Sequence, residues 1–102
     1  MLRVARIELA PEVLGDLDRI VEHLTAYDAD HIPRRVAEIV DAVQVLAHSP
    51  LIGRPVKGGK RELVIGRASR GYVALYRFVP SIDVVFVLAV RSQRERGYKQ
   101  PG

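Results

Sequence analysis

Seven consecutive apolar residues, Val84 to Val90, constrain this chain of 102 residues more than any other feature. Side chains along a strand alternate between two faces, so a strand can be apolar throughout only if both faces are covered. A membrane-spanning helix needs roughly twenty apolar residues, so this run does not cross a bilayer. The run is therefore expected to be a central strand, buried on both sides. Something else in the chain must supply the cover.

Two amphipathic stretches upstream fit that need. Val13, Leu14, Leu17, Ile20, Val21 and Leu24 recur at helical spacing, opposite Asp16, Arg19, Glu22 and His23. Pro11 and Glu12 mark the start, although Ala10 is a poor cap. This helix should fade near Tyr27-Asp28. Asp30 is the expected cap of a second helix, with Pro33 in its first turn. Ile32, Val36, Ile39, Val40, Val43, Leu46 and Ala47 form its stripe, and Ser49-Pro50 ends it. Two helices joined by so short a link lie antiparallel.

The remaining elements read as strands. Leu2 to Leu9 alternates, with Ala5, Ile7 and Leu9 on one face. Residues 49–60 hold two prolines and three glycines and are expected to be irregular. Arg61 to Ile65 is a short strand, and Tyr72 to Val79 a longer one with Tyr72, Ala74, Tyr76 and Phe78 on one face. Pro80 to Asp83 is a tight turn before the apolar run. The fold class is thus α+β in the order β-α-α-β-β-β, a helical hairpin on a small antiparallel sheet. Val85, Val87 and Ala89 are expected to pack against Leu17, Val21, Val36 and Val43. One domain over 1–102 accommodates all of it.

Composition excludes several classes. There is no cysteine, which removes disulfide scaffolds and thiolate metal sites. Arg3, Arg6 and Glu8 interrupt the N-terminus, so no secretory leader is expected there and the location is read as cytoplasmic. His23, His31 and His48 lack paired ligand spacing, and the acidic residues lie mostly on solvated helix faces. No metal, no small-molecule cofactor and no membrane partner are expected. Gly53 and Gly58 are spaced like phosphate-loop glycines, but Gly59 stands where the lysine belongs and a strand follows instead of a helix. No serine sits in a nucleophile elbow.

Charge is divided unevenly. Residues 1–50 carry five basic and nine acidic side chains; residues 51–102 carry eleven basic and three acidic ones. The second half is suited to an anionic surface, whether nucleic acid or acidic protein. Its cations are Lys57, Lys60 and Arg61 at the first hairpin strand, Arg67 and Arg70 on the turn, Arg77 on the next strand, and Arg91, Arg94, Arg96 and Lys99 after it, with Tyr98 among them. Arginine forks bind phosphate and carboxylate alike. The target-binding set is read as Arg61, Arg70, Arg77, Arg91, Arg94, Arg96 and Tyr98.

The segments Ser49-Pro50-Leu51-Ile52-Gly53-Arg54-Pro55, Arg61-Glu62-Leu63, Gly71-Tyr72 with Tyr76-Arg77, and Val84 to Val90 followed by Arg94-Glu95-Arg96-Gly97-Tyr98 resemble the RelE/ParE toxins of type II toxin–antitoxin systems. The resemblance covers nearly the whole chain. It implies a helical hairpin on a small sheet, plasmid stabilisation or growth inhibition, and a cognate antitoxin whose C-terminal segment wraps the toxin. The antitoxin tail would follow the helical hairpin and the sheet edge.

The family has two branches with different targets. RelE-like members cut mRNA at the ribosome without a metal, with lysines and arginines stabilising phosphate charge. ParE-like members inhibit DNA gyrase and are not known as nucleases. In the nuclease branch an arginine directly follows the Gly-Tyr pair, where this chain has Val73, and the preceding strand carries lysines where this chain has Glu62-Leu63-Val64-Ile65. Arg94, Tyr98 and Arg77 would be the catalytic candidates of a nuclease, an incomplete set. The resemblance therefore implies a gyrase inhibitor, with ribosome-dependent mRNA endonuclease activity as the alternative.

Overall fold

In a computed structural model, residues 4–67 and 71–93 are described. The chain runs β1 (Arg6–Leu9), α1 (Pro11–Tyr27), α2 (Ile32–His48), β2 (Arg54–Val56), β3 (Lys60–Ile65), β4 (Tyr72–Val79) and β5 (Val84–Ser92). The strands form one sheet in the order β1-β5-β4-β3-β2. The helices form the expected hairpin on one face of it.

Pro11 opens α1 and Pro33 is the second residue of α2, first-turn positions where the missing proline N–H leaves no donor unpaired. Asp30 does not cap α2. Residues 29–31 form a short 3₁₀ turn, and the interhelical link is held instead by the Asp28 carboxylate. That carboxylate bonds the His31 ring and pairs with Arg35 at 3.5 Å. His31, followed by the Arg35 charge, keeps the Asp28 carboxyl below its ordinary value.

Three expectations about the sheet are corrected. First, it is mixed, not wholly antiparallel: β1 runs parallel to β5, with Arg6 opposite Val84 and Leu9 opposite Val87. The cause is a strand inside the segment read as irregular. β2 pairs with β3 through Arg54–Glu62 and Val56–Lys60. Successive elements of this fold reverse direction, so seven elements leave the first and last parallel, whereas six would leave them opposed.

Second, β5 is interior but not central; β4 is the middle strand. Val84, Val85, Val87 and Val90 are fully buried, while Phe86, Leu88 and Ala89 are half-buried. Third, the register slips between Leu75–Ala89 and Tyr76–Val87, so Leu88 is an extra residue on β5. A bulge of this kind turns the following side chains to the other face. Val85, Val87 and Val90 therefore join the core under the helices, and Ala89 does not.

The core joins these valines to Tyr72, Ala74 and Tyr76 of β4, and to Val13, Ile20, Leu24, Ile39 and Leu46 of the helices. Leu17 and Val43 pack on its margin, and Val21 and Val36 are half-buried. The helices are thus rotated slightly from the face expected, toward residues seven apart. Beyond the end of β1, the buried Asp16 carboxylate of α1 accepts the Val90 N–H at 2.9 Å and the Arg19 guanidinium at 3.2 Å. Among the described residues no helix is long and apolar enough to cross a membrane.

Candidate functional site

The strand register sorts the predicted basic residues onto different faces. Arg61 lies opposite Tyr76, in line with Leu63 and Ile65, on the helix-covered face. Arg77 lies opposite Phe86 and Arg91 opposite Val73, both on the other face. The two positions are four steps apart along β4, about 13 Å at strand rise. Arg70, Arg94, Arg96 and Tyr98 lie outside the described residues.

Arg61 and Arg77 both grip backbone. Arg61 Nη1 donates to the Gly53 carbonyl at 2.7 Å and to the Leu51 carbonyl at 3.2 Å. Arg77 Nη2 donates to the Gly58 carbonyl at 2.8 Å. Gly58 and Gly59 form the β2–β3 turn, both with positive φ, a conformation that favours glycine. The phosphate-loop spacing of Gly53 and Gly58 thus joins a close backbone approach at Gly53 to a hairpin turn at Gly58. Arg91 is half-buried and donates to its neighbour's carbonyl, Ser92 O, at 3.4 Å.

Two features of this region escape sequence reasoning. Arg54 grips Glu62 through Nη2 at 2.8 Å and Nε at 3.2 Å, across the β2–β3 pair. Only 8% of Glu62 is exposed, so the pair is largely desolvated at the carboxylate end. A recognised hairpin over 54–62 would have placed these residues opposite each other. The second is Tyr76, fully buried, whose hydroxyl donates to the Pro50 carbonyl at 2.8 Å and accepts the Gly53 N–H at 2.9 Å. Burial pushes its hydroxyl above the ordinary tyrosine value.

Gly53 completes the arrangement. A Cβ there would stand 2.7 Å from the Glu62 carbonyl and 2.7 Å from the Tyr76 ring. The backbone can approach Tyr76 only because that atom is missing. Val73, the residue after the Gly71-Tyr72 pair, is 2% exposed. The cation nearest it in the ladder is supplied from β5 by Arg91. Among the described residues no three His, Asp or Glu side chains gather to hold a metal ion. The arrangement offers guanidinium and ammonium groups for anions, beside a tightly built loop.

The family model for the "ParE toxin of type II toxin-antitoxin system, parDE" matches residues 7–97. Toxin RelE3 of Caulobacter vibrioides is 29% identical over 90 residues, covering 88% of this chain and 96% of that one. The protein Y4kP of Sinorhizobium fredii is 34% identical over 89 residues, covering 86% of this chain and 91% of its own. In structure, the chain is similar to a component of the chromosomal ParDE system of P. aeruginosa, with a TM-score of 0.74 and 22% identity over 87% of this chain and 96% of that one. The toxin-antitoxin complex RelBE2 of Mycobacterium tuberculosis shares the fold at a TM-score of 0.65 and 21% identity, over 88% of this chain and 99% of that one. With the family model spanning nearly its whole length, this chain belongs to the ParE toxin family of type II toxin–antitoxin systems.

Proposed function

We propose that this toxin arrests growth by inhibiting DNA gyrase, and that a cognate antitoxin neutralises it. The observation that carries the reading is the state of the positions where a nuclease of this family would hold its cations. Val73 is buried among strands, and Glu62 carries a negative charge that Arg54 already neutralises. Transition-state stabilisation needs preorganised donors aimed at the developing phosphate charge. A buried valine and a paired carboxylate offer none. What this face does carry is Arg77 and Arg91, suited to charge-assisted contacts with an acidic protein surface or enzyme-bound DNA.

The tail arginines extend that set in this reading, with Arg94 and Tyr98 foremost. The structural relatives named above come from toxin–antitoxin systems, which supports an antitoxin as the second partner. The test is a gyrase supercoiling assay run beside a ribosome-dependent mRNA cleavage assay. Wild-type protein should block supercoiling and leave mRNA intact. The double variant Arg94→Ala with Tyr98→Ala should lose growth inhibition and keep its circular dichroism spectrum. Cleavage of mRNA by the wild type would replace this reading with the endonuclease one.

A further inference from the structure

The loop joining α2 to β2, residues 49–53, is tied down by hydrogen bonds along its whole length. Tyr76 supplies two, to Pro50 and Gly53; Arg61 supplies two, to Leu51 and Gly53; and the Ile52 N–H closes on the Ser49 carbonyl at 3.1 Å. Yet its apex carries two apolar side chains turned to solvent, Leu51 at 60% exposure and Ile52 at 56%. A loop already fixed in one shape loses little freedom on binding, so apolar groups mounted on it make efficient anchors. No core role accounts for their exposure.

The charge around this apex has one sign. No acidic residue occurs between Asp41 and Glu62, and Glu62 is paired with Arg54. Arg54, Lys57, Lys60 and Arg61 follow the apex within ten residues of it. The Arg54 side chain is 70% exposed even while paired, and Lys57 is exposed. The adjoining edge strand β2 is three residues long with Pro55 in its middle. Proline has no N–H to donate and blunts a sheet edge, so a partner is held here by side chains more than by strand addition.

We infer that the α2–β2 loop is a docking site for an acidic peptide segment with apolar anchors, the anchors seated on Leu51 and Ile52 and the carboxylates beside Arg54 and Lys57. Its bearer is the antitoxin, so the assignment rests on the antitoxin reading proposed above. The loop is held from behind by Tyr76 and Arg61, which makes it a preformed site.

Calorimetric titration of the full-length toxin with the antitoxin encoded by its adjoining reading frame tests the assignment. Leu51→Ser with Ile52→Ser should weaken binding about 10–100-fold, as loss of central apolar anchors does. Lys57→Glu should weaken it several-fold, with the loss shrinking as salt rises. Ile82→Ser, an equally exposed apolar residue in the turn between β4 and β5, off both the helical hairpin and the edge strand β2, should bind like wild type. Both substituted loop residues are exposed, so the thermal midpoint should hold; Leu51→Ala with Ile52→Ala repeats the measurement should the serines disturb folding. Undiminished binding by the folded loop variants overturns the assignment while the antitoxin reading stands. An equal loss from Ile82→Ser also overturns it. If wild-type toxin binds no antitoxin, the antitoxin reading falls and the loop assignment falls with it.

Discussion

At the scale of single residues, Tyr76 ties the sheet to the loop. Its ring fills the core, and its hydroxyl satisfies a carbonyl and an N–H that the loop cannot pair by itself. Tyr76→Phe keeps the ring and strands both groups, which should cost about 1–3 kcal/mol in urea unfolding. The pH dependence has a definite sign. Burial raises the folded-state value above the ordinary 10.0, so the unfolded chain releases its proton first. The stability is fully present below 10.0 and falls as pH rises through the raised folded value. The phenylalanine variant should lose less stability over that alkaline range than the wild type. Equal stability of the two proteins at neutral pH would mean that the hydroxyl has no structural role. Sequence alone placed Tyr76 on one face of β4 with Tyr72, Ala74 and Phe78, because alternation along the strand is visible. It could not show what the hydroxyl does, since both partners lie more than twenty residues upstream.

At the scale of elements, the helices and the longer strands were legible because their apolar periods are strong. α1 ends near Tyr27 and α2 at His48, as spacing and proline chemistry dictate. β2 was not legible: three residues, one of them proline, carry almost no pattern. Missing it concealed the direction of β1. The bulge at Leu88 was equally silent, since every residue around it is apolar and either face would accept them. That is why Ala89 was expected in the core where Val90 sits. The same reasoning corrects the helix anchors. Leu46 is fully buried whereas Leu17 lies on the core margin. Leu46→Ala should cost about 2–5 kcal/mol, with Leu17→Ala costing clearly less. The reverse ranking in denaturant unfolding would refute the packing face of the hairpin. Gly53→Ala tests the α2–β2 junction. Its Cβ would press on the Glu62 backbone and the Tyr76 ring together, and neither can retreat. Overpacking of about 1–3 kcal/mol is expected, and a thermal midpoint equal to wild type would rule out the close approach.

At the scale of the whole molecule, the uneven charge of the sequence becomes a difference between layers. α1 and α2 together carry three more acidic than basic side chains, while β2 to β5 carry five basic ones against the paired Glu62. The helices cover one face of the sheet and bring their acidic excess to that side, while Arg77 and Arg91 put positive charge on the other. The charge totals were plain in the sequence. Their separation into layers needed the fold, as did the finding that Arg61 faces the helices while Arg77 and Arg91 face away. Such a molecule orients in the field of a charged partner before contact. An acidic antitoxin segment should therefore approach the sheet side, and its association rate should depend on salt more than its dissociation rate does. Between low salt and half-molar salt, where screening shortens to a few ångströms, the association rate should fall on the order of tenfold. Stopped-flow mixing of toxin and antitoxin across that range measures it. Arg77→Glu, a reversal on the exposed sheet face, should lower the low-salt rate and flatten its salt dependence. An association rate indifferent to salt in the wild type would mean that the layered charge plays no part in how this toxin finds its partner.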